Sequence, residues 1–271
     1  PPPQSADQLF GYLIDEAAQA AGFLNYFYVF LLGLMLVAAI VVSVSKKPRL
    51  RKGGSMPAYG LLAVLAVTAV WLILTTNLRV VQADIVYKRG RFFDGEAAAT
   101  ADLSAWDSAI AIYQDAIDRA PQEDFYYLFL GRAYLERSNI TSDSLEQEQL
   151  LAEAEQQLFI AQDLNPLNTD HTANLARLNT RWAAVSADAA AGGQRLADAE
   201  QYYQRALELS PQNSIIRNEY ARLVLAQEEN CAEGLAIFEE SATIDPFFTD
   251  TFFAWADAAM SCGESADGAE A

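Results

Sequence analysis

Two hydrophobic patterns divide the chain. Residues 23–45, FLNYFYVFLLGLMLVAAIVVSVS, and 56–78, MPAYGLLAVLAVTAVWLILTTNL, are uncharged throughout. At about 1.5 Å rise per residue, a helix of either length crosses a hydrocarbon core of about 30 Å. Each run therefore predicts a transmembrane helix, and a cleaved signal peptide does not fit two such runs in tandem. Between them KKPRLRK, residues 46–52, is a basic loop of the kind that stays cytoplasmic. Both flanks are then expected on the opposite side. From about residue 80 the pattern changes. Apolar positions recur every three or four residues among polar ones, which predicts amphipathic helices packed on one face.

That second region repeats itself. The segments WDSAIAIYQDAIDRAP (106–121), LAEAEQQLFIAQDLNP (151–166), LADAEQYYQRALELSP (196–211) and CAEGLAIFEESATIDP (231–246) align without gaps. Small residues share one column (Ala109, Ala154, Ala199, Gly234) and large ones the next (Tyr113, Leu158, Tyr203, Phe238). A third column is small again (Ala116, Ala161, Ala206, Ser241), and every segment ends on proline: Pro121, Pro166, Pro211 or Pro246. Small residues let two helices approach, the large one fills the space between them, and proline stops the helix. The stretches after the prolines carry Leu130-Gly131, Leu175-Ala176, Tyr220-Ala221 and Trp255-Ala256 in matching register, with a weaker match at Gly90 and Phe93. The prolines are 45, 45 and 35 residues apart, so the extra residues at 138–149 and 183–194 predict loops or short helix extensions.

This repeat resembles the tetratricopeptide repeat (TPR), a pair of antiparallel helices stacked in series. The resemblance implies an α-solenoid, and with the two apolar runs the expected fold is all-α, a two-helix transmembrane hairpin followed by a TPR α-solenoid. The expected divisions are an extracytoplasmic N-terminal segment (1–22), transmembrane helices at 23–45 and 56–79, a basic cytoplasmic loop at 46–55, a TPR domain of about four repeats plus a final helix at 80–262, and a disordered tail at 263–271. The first helix of each pair then lines a concave face that takes protein partners. Arg91, Arg132, Arg177 and Arg222 directly follow the Gly/Ala position on that face, with Asn174, Arg181 and Asn218 beside them. Such a column can grip a carboxylate or phosphate. The alternative is that each arginine pairs with a local acid, such as Glu136 or Glu219, and holds the array together. His171 reads as a solvated or hydrogen-bonded surface imidazole rather than a catalytic base. Cys231 opens the last full repeat's second helix and Cys262 closes the antiparallel helix after it, so the two should meet in a disulfide if the domain lies outside the cytoplasm.

Charge and composition narrow the chemistry. The 271 residues include 36 acids and 18 bases, a net charge of −18, with 52% hydrophobic residues. From residue 80 onward there are 33 acids against 12 bases, so this part should stand off an anionic membrane. So acidic a chain lacks the basic footprint that nucleic acid requires. Two cysteines and one histidine argue against a dense disulfide scaffold and against a zinc site. With no Gly-rich phosphate loop, no HExxH and no Ser or Cys with a plausible His partner, the reading is a non-enzyme with no cofactor and no metal. The sequence opens Pro-Pro-Pro without Met, which reads as a piece of a longer chain.

Two stretches, NLRVVQADIVYKRGRFFD (77–94) and DFYYLFLGRAYLE (124–136) with NPLNTDHTANLARL (165–178), resemble the C-terminal region of bacterial O-antigen ligase or polymerase-like membrane proteins. That family's catalytic membrane core is absent, so the resemblance transfers no catalytic residue. The expected function is a membrane-anchored extracytoplasmic TPR scaffold in the bacterial cell membrane, an accessory subunit of a membrane or cell-envelope complex. Its expected partners are proteins on the concave face, lipids around the two helices and other membrane subunits, with no nucleic acid. The alternative is the regulatory or recruiting tail of a glycan ligase. A third reading is a receptor whose arginines bind an anionic glycan or a C-terminal peptide.

Overall fold

The computed structural model describes residues 56–227 and 231–270, preceded by helical residues 26–37, Phe23 and Ile40. The chain divides into two compact units, residues 1–122 and 123–271.

In the first unit, α1 (Met56–Leu72) continues through a π-helical segment (Ile73–Leu78) into α2 (Arg79–Thr100), and α3 (Leu103–Arg119) folds back along α2. The reversal is local. Ala101 adopts left-handed backbone with φ 55° and ends α2, and Asp102 starts α3 by accepting from the Ser104 amide. The pair meets where Gly90 faces Tyr113; a Cβ on Gly90 would lie 2.5 Å from the Tyr113 ring. Burial pushes the Tyr113 phenol well above its ordinary pKa, and its hydroxyl donates to Asp94 Oδ2 at 3.3 Å.

α1 has 17 residues, about 25 Å of helix, and its apolar run ends in the π segment with Thr75, Thr76 and Asn77. No helix among the described residues is long and apolar enough to cross a membrane. This overturns the expected two-helix transmembrane hairpin and the multi-pass cell-membrane location, on which the expected extracytoplasmic placement of the repeat domain rests. Of the expected span at 23–45, the longest described helical stretch is 26–37. Segments 1–22 and 46–55 lie outside the described residues. Val64, Leu65 and Val67 of α1 are exposed, so α1 stands apart from the packed α2–α3 core.

Among the described residues, the second unit forms three hairpins and a further helix. The hairpins are α4 (Asp124–Ile140) with α5 (Ser144–Leu164), α6 (Thr169–Val185) with α7 (Ala189–Leu209), and α8 (Ser214–Ala226) with α9 (Cys231–Ile244); α10 is Thr249–Glu270. α10 thus runs as helix through most of the segment expected as a disordered tail. Between hairpins the prolines occupy the second position of tight turns, where their fixed φ suits the backbone. Asn168 N donates to Asn165 O at 3.2 Å, Asn213 N to Ser210 O at 3.1 Å, and Phe248 N to Asp245 O at 3.3 Å. Asn168 and Asn213 then cap the following helix with their side-chain oxygens.

The residues that lengthen the first two repeats extend their helices rather than forming long loops. α5 and α7 have 21 residues each, against 14 in α9. Asp143 caps α5 and Asp188 caps α7, while Gln147 Nε2 donates to Ser138 O at 2.8 Å and Arg137 pairs with Glu146 at 2.8 Å across the first corner. The columns read from the sequence form the core. Ala154, Leu158, Ala161, Ala199, Tyr203, Ala206, Phe238 and Ser241 are all buried. Leu158 sits directly on Gly131, where a Cβ would fall 2.7 Å from its Cγ and 3.2 Å from the Ala154 carbonyl oxygen. Gly131→Ala should therefore overpack the α4–α5 seam and destabilise the protein by about 1–3 kcal/mol. Chemical denaturation measures this, and an unchanged midpoint would mean that Leu158 moves aside without cost.

Candidate functional site

One position in each first helix of the second unit directly follows the small residue: Arg132 in α4, Arg177 in α6, Arg222 in α8 and Asp257 in α10. The structure gives these positions different work. The Arg132 guanidinium lies over the Phe129 ring, 5.3 Å from its centroid. Arg177 Nε donates to Glu219 Oε2 at 2.8 Å and joins α6 to α8. Arg222 is exposed and pairs with no carboxylate among the described residues. It lines a cleft of about 340 Å³ with Leu225, Ala254, Asp257 and the Cys231–Cys262 bridge. Arg91 holds the corresponding register in α2 of the first unit, 3.8 Å from Asp94 and hydrogen-bonded to Tyr87.

The neighbouring polar residues are mostly structural. Asn174 is buried and donates to the Asp170 carbonyl at 2.7 Å within its own helix. Asn218 is buried and donates to Thr251 Oγ1 at 2.8 Å, joining α8 to α10 and leaving its own Oδ1 without a partner. Arg181 is half-buried, and its Nε has no hydrogen-bond partner.

His171 is fully buried rather than on the surface, because α4 packs against α6 there. Its Nε2 lies 2.6 Å from Asp124 Oδ2. Burial pushes the Asp124 carboxyl up, but hydrogen bonds from His171, Asn165 and Asn168 outweigh it and hold the group below the usual aspartate range. Each successive pair of first helices is thus joined by a polar link: Asp124–His171, Arg177–Glu219 and Asn218–Thr251. Sequence reasoning missed Asp124 and Thr251. The available signal was the repeat length, since the partners in the first two links are 47 and 42 residues apart, close to the 45-residue period.

A second feature the sequence did not reveal lies on the helix extensions. The Arg195 guanidinium stacks on Trp182, 3.7 Å from the ring centroid, and also contacts Glu155 and Asn179 Oδ1. This clasp ties α7 to α5 and α6. It forms one wall of a cleft of about 520 Å³, which Leu145, Gln147, Glu148 and Asp188 complete.

Arginines are largely consumed inside the unit. Residues 123–271 contain 8 arginines, no lysine and 26 acids, and Arg137, Arg177, Arg195, Arg205 and Arg217 are each paired with a glutamate. The unpaired carboxylates give the unit an acidic surface. No group of three or more His, Cys, Asp or Glu among the described residues is placed to hold a metal ion. Cys231 and Cys262 are disulfide-bonded with Cα atoms 5.9 Å apart, fastening the start of α9 to α10.

Comparison with known proteins identifies the architecture. No protein-family model and no curated protein matches the chain. Among solved structures it is similar to TTC0263, a thermophilic TPR protein of Thermus thermophilus, with a TM-score of 0.51 and 19% identity over 70% of this chain and 97% of that one. It is more distantly similar to YrrB, described as a TPR protein with an unusual peptide-binding site, with a TM-score of 0.41 and 16% identity over 69% of this chain and 77% of that one. At this identity the first likeness establishes a TPR-like helical-repeat fold, and the second adds no argument.

Two measurements test the links. Asp124 has its pKa lowered by folding, so its stabilising contribution is full above the unfolded value of about 3.9 and is lost as pH falls through the lower folded value. Asp124→Asn should be less stable than the parent at neutral pH, with the difference shrinking on acidification below about pH 4. Denaturation midpoints across pH measure this, and a gap that widens on acidification would contradict the assignment. Reducing Cys231–Cys262 opens a loop with a sequence separation of 31 and should cost about 3.7 kcal/mol; melting with and without reductant reads it.

Proposed function

We propose that this chain is a protein-interaction scaffold that binds a partner polypeptide along the first helices of its second unit and performs no reaction of its own. The observation that carries this reading is the open Arg222 cleft. Its guanidinium and the Asp257 carboxylate flank apolar Leu225 and Ala254 on adjacent first helices, a mixture suited to a short peptide segment with both charged and apolar side chains. Two of the other first-helix arginines are engaged: Arg132 over an aromatic ring and Arg177 in an ion pair. Binding is therefore assigned to Arg222, and Arg177 to cohesion between hairpins. The TPR-like fold supports the same reading by presenting a row of helices over which an extended or helical segment can lie.

A second reading keeps this face but makes the chain the recruiting tail of an O-antigen ligase-type glycan transferase. Its support is the sequence resemblance at 77–94, 124–136 and 165–178.

The test is affinity purification of the tagged chain, identification of its companions, and repetition with two substitutions. Arg222→Ala should reduce capture of a direct partner by roughly tenfold, the effect of removing one central charged contact. Arg177→Ala should lower stability by up to about 1 kcal/mol, as expected for a partly exposed ion pair, while leaving capture unchanged below the melting temperature. Undiminished capture by Arg222→Ala would remove the cleft from the interface.

A further inference from the structure

α10 presents a helical face whose counterparts on the preceding first helices of the unit are covered. Aligning Trp255-Ala256 with Leu130-Gly131 places Phe253, Ala256, Met260 and Gly263 opposite Leu128, Gly131, Leu135 and Ser138 of α4. In α4 these positions form the seam with α5, where Leu158 presses on Gly131, and Leu128 and Leu135 are only 2% and 4% exposed. In α8 the same register is held by Ala221 and Leu225, and Leu225 lies against Gly234 of α9. In α10 it is open. Phe253 is 75% exposed and Met260 62%, and Ala256 and Gly263 are exposed between and beside them. The opposite face of α10, through Thr251 and Cys262, is already engaged with α8 and α9. The exposed stripe is therefore the half of a hairpin seam that lacks its second helix among the described residues.

We infer that this face of α10 docks an amphipathic helix of a partner protein, antiparallel to α10, with one large apolar side chain seated over Ala256 and basic residues along one edge. The apolar requirement follows from the register, because the three seams in the unit are filled by Leu158, Tyr203 and Phe238 between small residues. The basic requirement follows from charge. Asp250 and Asp257 stand seven residues apart along one edge of the stripe, on the same side of the helix, and both are exposed. A second copy of this chain would bring a further net charge of −18 to that edge, so like-charge repulsion disfavours it as the occupant.

The face borders the Arg222 cleft at Asp257, which lines both, and its apolar stripe of Phe253, Ala256 and Met260 is separate from the cleft's apolar floor of Leu225 and Ala254, so substitutions at Arg222 and in the stripe test the two readings separately. The probe is a synthetic peptide of residues 196–211 of this chain, which carries the small–large–small pattern, with Asp198→Lys, Glu200→Lys and Glu208→Lys. The comparison peptide keeps the three acids. Fluorescence anisotropy against the 271-residue protein should show the lysine peptide binding at least about tenfold more tightly than the acidic one, equivalent to about 1.4 kcal/mol. Phe253→Ser combined with Met260→Ser should reduce that binding by about tenfold or more, with an unchanged melting curve because both side chains are exposed. Arg222→Ala should leave it unchanged, so failure here is distinguishable from failure of the cleft assignment. Equal binding of the lysine peptide to parent and double variant would place it elsewhere on the acidic surface and overturn the inference, as would absence of binding by either peptide. Sedimentation showing a parent dimer that the double variant dissolves would also overturn it, giving the face to a second copy.

Discussion

The close approach of two helices at a glycine or alanine sets the geometry on which the second unit depends. Leu158 fits against Gly131 because no Cβ stands in its way, and Gly234 meets Leu225 in the same manner with the small and large partners exchanged between helices. Close-packed interiors tolerate little change in volume at such points. The seam fixes how near the two helices of a hairpin lie, and the tight proline turns then deliver the next hairpin beside it. The inter-hairpin links follow from that placement. Asp124 can reach His171, and Arg177 can reach Glu219, because seams of similar depth bring successive first helices side by side.

Polar groups on the first helices divide between holding and presenting. A buried His–Asp contact and an Asn–Thr hydrogen bond satisfy groups that would be costly to leave unpaired away from water. They contribute rigidity and are closed to a ligand. Unlike Arg132 and Arg177, Arg222 is engaged by neither a ring nor a carboxylate among the described residues; the corresponding position in α10 is Asp257, and the two line an apolar-walled cleft. Elsewhere the paired arginines are matched to glutamates, so the excess acid remains on the surface. That excess sets up a negative field around the unit, which attracts positive charge and repels anions within the screening length.

Several features were legible in advance because they depend on local spacing. The three packing columns and the helix-stopping prolines follow from residues recurring at matching positions of each repeat, and the Cys231–Cys262 pair from the antiparallel course of the last two helices; the structure places them in seams, turns and a disulfide. The extra residues at 138–149 and 183–194 fitted either loops or helix, and the caps at Asp143 and Asp188 close that choice in favour of longer helices. The apolar run at 56–78 misled because hydropathy over a window does not register a change in helical pitch. The run divides at Leu72 into a 17-residue α-helix and a π segment that leads into the polar α2, and no helix among the described residues is long and apolar enough to cross a membrane.

Alone, the sequence determined the helical-repeat architecture, the hairpin register and the acidic balance, since small–large–small periodicity and charge are properties of the linear order of residues. It could not decide among the arginines, which occupy equivalent positions and carry the same charge. Only the tertiary structure separated them, by setting Phe129 under Arg132, Glu219 beside Arg177 and a cleft in front of Arg222. The same holds for His171, whose burial against Asp124 comes from a helix 47 residues away, and for α10, whose outer stripe is conspicuous because its counterparts in α4 are covered. Each of these distinctions rests on which neighbour stands across a gap of a few ångströms, and neighbours are assigned by packing.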